Sequence, residues 1–309
     1  MSELDEIEAF VDRTINEFKE KYYNDSTTIK DKIDHITRVT DIASKKWPND
    51  QLVRIAAKIH DIGRFDQYEV LGKFDDGKIL HHYLGENFIT RAVYQGEIKD
   101  SEELDMLRAV VKYHGRDRFI PFKNEIPEQA KNLIDIIGRV DGIENGCIGA
   151  VGYLVREKEE DAKSYRANNP ELDMKSISPE VMSFFEKGEK FDKMKYCKTY
   201  ADYTLFAVVL AITALKGKDR ELALDAMKNY TCSRAVKLPD GSTEIKEYEN
   251  AIEGYNDVFS ELLYPEDKEK CMEILEGFYN NPSYRYVSEE YNFGTHEQNG
   301  LEENDDWLL

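Results

Sequence analysis

Apolar residues recur at three- and four-residue intervals along most of this chain, and that period restricts it to an all-α class of fold. Leu4, Ile7, Val11, Ile15 and Phe18 set the pattern in a first amphipathic helix. A second helix is expected over 29–46, stopping before Trp47-Pro48 because proline disfavours helix in the residue ahead of it. Asn49-Asp50 caps a third, with Leu52, Ile55, Ala56 and Ile59 on its inner face. That helix ends in HDIGR, where Gly63 reads as the stop. Residues 64–80, which include KFDDGK, read as a loop. Helices follow over 82–94 and 101–114, Pro121 and Pro127 bracket a short extended link, and a long helix covers 128–161. Gly138, Gly142, Gly146, Gly149 and Gly152 either kink that helix or let a neighbour approach closely.

The organisation changes near residue 162. A polar connector, NNPELDMKSISPE, leads to a helical region over 199–228, and RAVKLPDGSTEIKEYE alternates around PDGS as a β-hairpin does. Two more helices fit 248–263 and 267–279, and the segment from Glu289 is polar and acidic. A chain of 309 residues can bury one large core or a core with an appended unit. The change of pattern divides it into residues 1–160 and a mostly helical extension over 161–309.

Composition narrows the function classes. Lys plus Arg number 42 against 62 Asp plus Glu, so a net charge of −20 opposes broad contact with a nucleic-acid backbone. A small phosphorylated ligand stays open, because metal ions and a few local cations can invert the field of one cleft. The N-terminal residues have neither the basic nor the apolar region of a signal peptide. The longest apolar stretch, Leu205 to Leu215, is too short to span a bilayer and reads as a core helix. Cys147, Cys197, Cys232 and Cys271 form no CxxC pair, which argues against a disulfide framework or a structural zinc site. These features lead to the expectation of a cytoplasmic protein with no membrane partner; oligomeric state is open.

Histidine is scarce, with six in all, and five of these lie between residues 35 and 114. Imidazole is the commonest metal ligand, and carboxylates complete hard or borderline sites. His60-Asp61 ends an apolar helix, where an unpaired carboxylate is costly. Asp141 shares a helix face with Ile134, Ile137 and Ile148, so its charge also needs a partner. Any one of these residues could be structural. Their order along the chain carries the signal: His, then His-Asp, then His, His and Asp, each on a successive helix.

In that order the sequence resembles the HD superfamily of metal-dependent phosphohydrolases over residues 28–160. His35 in IDHITRV looks like the first-helix histidine, IAAKIHDIGR like the doublet that names the superfamily, and Asp141 in IIGRVDGIEN like its last aspartate. The resemblance implies one metal on His35, His60, Asp61 and Asp141. His81, opening HHYLGENF, is similar to the family's His-x-x-x-Gly segment, and His114 in VVKYHGR to the histidine ending the next helix; the two imply a second metal. His82 competes with His81, and the spacing to Gly85 favours His81. Two divalent ions are expected, Fe or Mn first, with Mg, Ni, Co or Zn open. Asp61 has two oxygens and can bridge them, and such a pair generates a nucleophile from water near neutral pH.

The resemblance implies hydrolysis of a phosphoester in a nucleotide or other small phosphorylated metabolite. Asp61 serves the chemistry, and Arg64 and Arg116 are the candidate phosphate anchors, with Arg118, Lys112 and Arg139 further off. Lys58 is expected to face solvent. HD-type mixed-valent di-iron oxygenases share the six-ligand order, so the ligands leave oxygenation open beside hydrolysis. A non-catalytic nucleotide sensor is the third reading, against which the intact ligand set argues. Tyr196, Tyr200 and Tyr203 are expected to pack in the core.

Overall fold

A computed structural model describes residues 2–23, 27–72, 74, 80–115, 126–152, 166–238 and 240–281. Helices dominate, with one small antiparallel sheet towards the C-terminus. Helix α1 (Glu3–Tyr22) starts in a capping box: the Ser2 hydroxyl accepts from the Asp5 amide, and the Asp5 carboxylate accepts from the Ser2 amide. It buries Ile7, Phe10, Val11 and Phe18. Helix α2 (Thr27–Lys46) buries Ile29, Ile33, Ile36, Val39 and Ile42, one stripe at helical spacing. Helix α3 (Gln51–Ile59) is capped by Asp50, which accepts from the Val53 amide at 3.0 Å. Lys58 is not a solvent-facing residue. It bridges Glu8 at 2.8 Å and Asp12 at 2.7 Å, both on α1.

The first departure from expectation follows the His-Asp doublet. Gly63 does not end α3; it begins α4 (Gly63–Leu71), so much of the expected 64–80 loop is helix. The polar KFDDGK hid the cause, which lies just before it. Phe65 is buried and stacks on Phe18 with ring centroids 4.0 Å apart, which holds this segment against α1. Gly63 is needed for packing: a Cβ there would lie 1.9 Å from the carbonyl oxygen of His81 and 2.4 Å from the amide of Gly85. Helix α5 (His81–Tyr94) thus lies directly against α4, glycine to glycine. Helix α6 (Glu102–Tyr113) is capped by Ser101.

Helix α7 (Lys131–Cys147) follows a 3-10 turn at Glu128–Ala130 and gives way to another at Gly149–Val151. It therefore ends well before the expected residue 161. The expected division near residue 160 falls outside the described residues. Beyond it come α8 (Pro179–Lys187), a single turn at Lys193–Tyr196, α9 (Tyr200–Lys216) and α10 (Arg220–Asn229). The helical stretch expected over 199–228 is thus two helices, separated at residues 217–219. The hairpin is present: β1 (Cys232–Lys237) pairs antiparallel with β2 (Thr243–Tyr248), Arg234 opposite Lys246. Helices α11 (Ala251–Leu262) and α12 (Pro265–Asn280) complete the described chain.

One hydrophobic core runs through both halves of the sequence, from Ile7 to Phe278. Helix α9 is buried almost all round, as its apolar stretch requires, and lies against α7. Gly146 permits that contact, since a Cβ there would come within 3.0 Å of the Leu210 backbone. Tyr203 is buried with Met174 and Cys197, and Tyr196 and Tyr200 pack against the core. Among the described residues no helix is long and apolar enough to cross a membrane.

Candidate metal centre

The five helices α2, α3, α5, α6 and α7 bring the expected ligands to one point. His35 projects from within α2, His60 and Asp61 follow the last turn of α3, His81 opens α5, His114 follows α6 and Asp141 lies on α7. The four imidazoles and Asp61 are buried, and Asp141 is half-buried. Helix ends supply most of the expected ligands, where the chain can turn a side chain inward without breaking a helix.

Hydrogen bonds fix which nitrogen faces the centre. His60 Nδ1 donates to the Ala57 carbonyl at 2.7 Å, and His114 Nδ1 faces the Val111 and Val110 carbonyls at 3.1 and 3.2 Å. A carbonyl only accepts, so Nδ1 carries the proton and Nε2 keeps a lone pair. His35 Nδ1 lies 2.5 Å from Glu144 Oε2, and Arg38 Nε donates to the other Glu144 oxygen at 2.7 Å. This carboxylate–imidazole pair is the arrangement that orients histidines on metals.

The inward atoms form an electron-rich cluster. His35 Nε2 and His60 Nε2 are 3.3 Å apart, and Asp141 Oδ1 lies 3.3 and 3.8 Å from them. Asp61 presents its two oxygens to different histidines. Oδ2 lies 3.6 Å from His35 Nε2 and 3.7 Å from His60 Nε2; Oδ1 lies 3.1 Å from His81 Nε2 and 3.4 Å from His114 Nε2. Lone pairs and carboxylates packed this closely repel one another unless cations lie among them.

The protonation equilibria follow that demand. Burial holds His60 and His81 down to about 4, although Asp61 pulls both the other way. Burial also opposes ionisation of Asp61, but Lys32 and then His60 outweigh it and hold the carboxyl well below the usual range. Asp141 is lowered too, against burial, chiefly by His35. His35 is raised: burial and Lys32 push it down, while Glu144 and Asp141 more than compensate. Neutral imidazoles and ionised carboxylates are the forms that bind metal. His60, His81, Asp61 and Asp141 shift towards them, whereas His35, raised by its two carboxylates, must give up a proton to bind.

Other candidates divide. Arg64 Nε is 3.9 Å from Asp61 Oδ1, but its guanidinium donates to the Phe74 carbonyl at 2.6 Å and to Gln67 Oε1 at 3.1 Å. Arg116 and Arg118 lie outside the described residues. Lys112 pairs with Glu86, and Arg139 with Asp135 and Asp219. The sequence reading passed over three residues at the centre. Lys32 Nζ sits 2.7 Å from Asp61 Oδ2, Glu144 holds His35, and Arg38 holds Glu144. Lys32, His35 and Arg38 are spaced by three on α2, as Asp141 and Glu144 are on α7, so each set shares a helix face.

The donor set fits metal ions: imidazole nitrogen with carboxylate oxygen, Nδ1 of His35, His60 and His114 held by outer partners, and two groups of buried side chains that could each hold an ion. A mostly helical protein with buried His/Asp groups that could hold metal ions is the class that the fold and site define. No protein-family model, no curated protein and no solved structure matches this chain.

Proposed function

We propose that the chain is an HD-type metal-dependent phosphohydrolase acting on a phosphoester of a nucleotide or another small phosphorylated metabolite. The observation that carries the reading is Asp61, whose two oxygens each face a different pair of imidazoles. A carboxylate so placed could serve two ions, one with each oxygen. His35, His60, Asp61 and Asp141 would hold one of them, and Asp61, His81 and His114 the other. Divalent ions there supply Lewis-acid charge and lower the pKa of water.

Charge balance favours an anionic substrate. The carboxylates Asp61, Asp141 and Glu144 are matched within the same shell by Lys32, Arg38 and Arg64. Two added divalent ions leave the centre positive inside a protein of net charge −20, the sign a phosphoester requires. Among the described residues Lys32 and Arg64 are the cations paired with Asp61, and in this reading they would stabilise charge on phosphoryl oxygens. With all four cysteines free and buried, the cytoplasm is the compartment that fits the reading.

The test is metal analysis of anaerobically purified protein joined to a panel of phosphoesters, nucleotides included. Two ions per chain are expected, with phosphate released in the absence of O₂ when Mn²⁺ is supplied. Asp61→Ala should lose both ions. Turnover that needs O₂ and an iron pair, with no ester hydrolysed anaerobically, would replace the hydrolase by the oxygenase. Tight nucleotide binding without turnover in metal-loaded protein would leave a sensor.

A further inference from the structure

His82 lies beside the second metal position and belongs to none of the roles assigned so far. It is buried, follows His81 on the first turn of α5, and its ring centroid is 3.8 Å from that of His81 and 4.7 Å from that of His114. The three side chains offer ligand atoms that all lie within 4.8 Å of one another. Two adjacent nitrogens each about 2.1 Å from one tetrahedral ion are about 3.4 Å apart, so a trio whose atoms lie within 4.8 Å of one another has to close by up to about 1.4 Å. The chain also makes room for this imidazole. A Cβ on Gly115 would lie 2.8 Å from His82 Nε2, so any larger residue after His114 displaces the ring. Packing alone does not account for three neighbouring buried histidines, because an apolar side chain would fill the same space without desolvating a polar ring.

We infer that His82 is a ligand, and that the position next to His114 is a three-imidazole site: His81, His82 and His114, with Asp61 Oδ1 as the oxygen donor. This rests on the two-metal reading and makes the two positions chemically unlike. His35, His60, Asp61 and Asp141 give two nitrogens and two oxygens. The other position gives three nitrogens and one oxygen, a set that prefers borderline ions such as Fe²⁺, Co²⁺ or Zn²⁺ over Mn²⁺ or Mg²⁺. The protein therefore discriminates between its two metals, and the nitrogen-rich position sets the identity of the second.

The experiment titrates metal-free, full-length protein with Co²⁺ alone, following bound metal and the visible absorption of the ion. Wild type should take up two Co²⁺ per chain with two distinct spectra. His82→Phe keeps the ring volume and removes the donor; it should weaken one of the two sites at least about tenfold and change that site's spectrum only. Gly115→Ala keeps every donor but displaces His82, and should affect the same site in the same direction. Two Co²⁺ bound by His82→Phe with wild-type affinities and spectra would make His82 a packing residue and leave the two-metal reading intact. Uptake of a single Co²⁺ by wild type would overturn both. Far-UV circular dichroism of both variants separates loss of a ligand from loss of the fold, and a variant that unfolds is replaced in the comparison by the other.

Discussion

Glu144 accepts from His35 Nδ1 and from Arg38 Nε at once, and it is 1% exposed. Its carboxyl is held down to about 2: burial opposes ionisation, and His35 and Arg38 overcome it. An ionised partner on Nδ1 makes Nε2 a better donor and fixes the plane of the ring. Glu144→Gln keeps the shape and removes the charge, so binding at the His35 position should weaken about 10–100-fold, with little change at the His81–His114 position. Competition with a chelator measures both; equal chelator sensitivity in wild type and variant would reduce Glu144 to an ordinary ion pair. The sequence made His35 legible and not Glu144. Histidine is rare here, so the order of six candidate ligands stands out against its background. Glutamate is one of 62 acidic side chains, and nothing short of its burial and its facing partner distinguishes it.

The elements themselves were legible where apolar spacing decides, as in α1 and α2, and less so where contact between distant segments decides. Helix α4 forms because Phe65 stacks on Phe18 and because Gly63 can meet Gly85, facts that no local window contains. Helix α1 also meets α3, through Glu8. Its carboxylate takes two hydrogen bonds of 2.8 Å from Arg54 and another from Lys58, both on α3. The hydrogen bond from Arg54, opposed by burial and aided by Lys58 and Gln51, lowers Glu8 from 4.5 to about 2. A pKa depressed on folding adds stability above the unfolded value, and that stability is lost as pH falls through the folded value. Glu8→Gln should therefore cost roughly 1–2 kcal/mol at neutral pH, after allowance for partial exposure, with the gap closing between pH 4.5 and about 2. Urea unfolding of both proteins at neutral and acidic pH tests this. A gap independent of pH would assign the loss to shape and not to charge.

At the scale of the whole molecule, α7 joins the centre to the extension. Asp141 and Glu144 reach His35, while Gly146, further along the same helix, abuts the Leu210 backbone of α9. Tyr255 on α11 donates to the Gly146 carbonyl at 2.5 Å, and a Cβ on Gly254 would lie 2.5 Å from Val151 just past the end of α7. Leu205, Val208, Val209, Ile212 and Leu215 of α9 are fully buried in the same core as Val140 and Ile137. Taking α9 away exposes apolar surface on α7 and frees the helix that carries the last expected ligand, Asp141. A fragment of residues 1–160 holds every expected ligand but lacks that support. It should therefore lack a cooperative unfolding transition and fail to retain the ion at the His35–Asp141 position, because burial of α7 is what holds Asp141 in place. Urea unfolding and metal content of the fragment test this against the full chain. A fragment that melts cooperatively and keeps two ions would show that the extension serves only the substrate. A gentler form of the same test keeps the chain whole. In Gly146→Val the first added carbon already meets Leu210 at 3.0 Å, so α9 must shift and stability should fall by about 1–3 kcal/mol. The variant should also release metal from the Asp141 side before the His81–His114 side, since Asp141 is the one expected ligand carried by α7 itself.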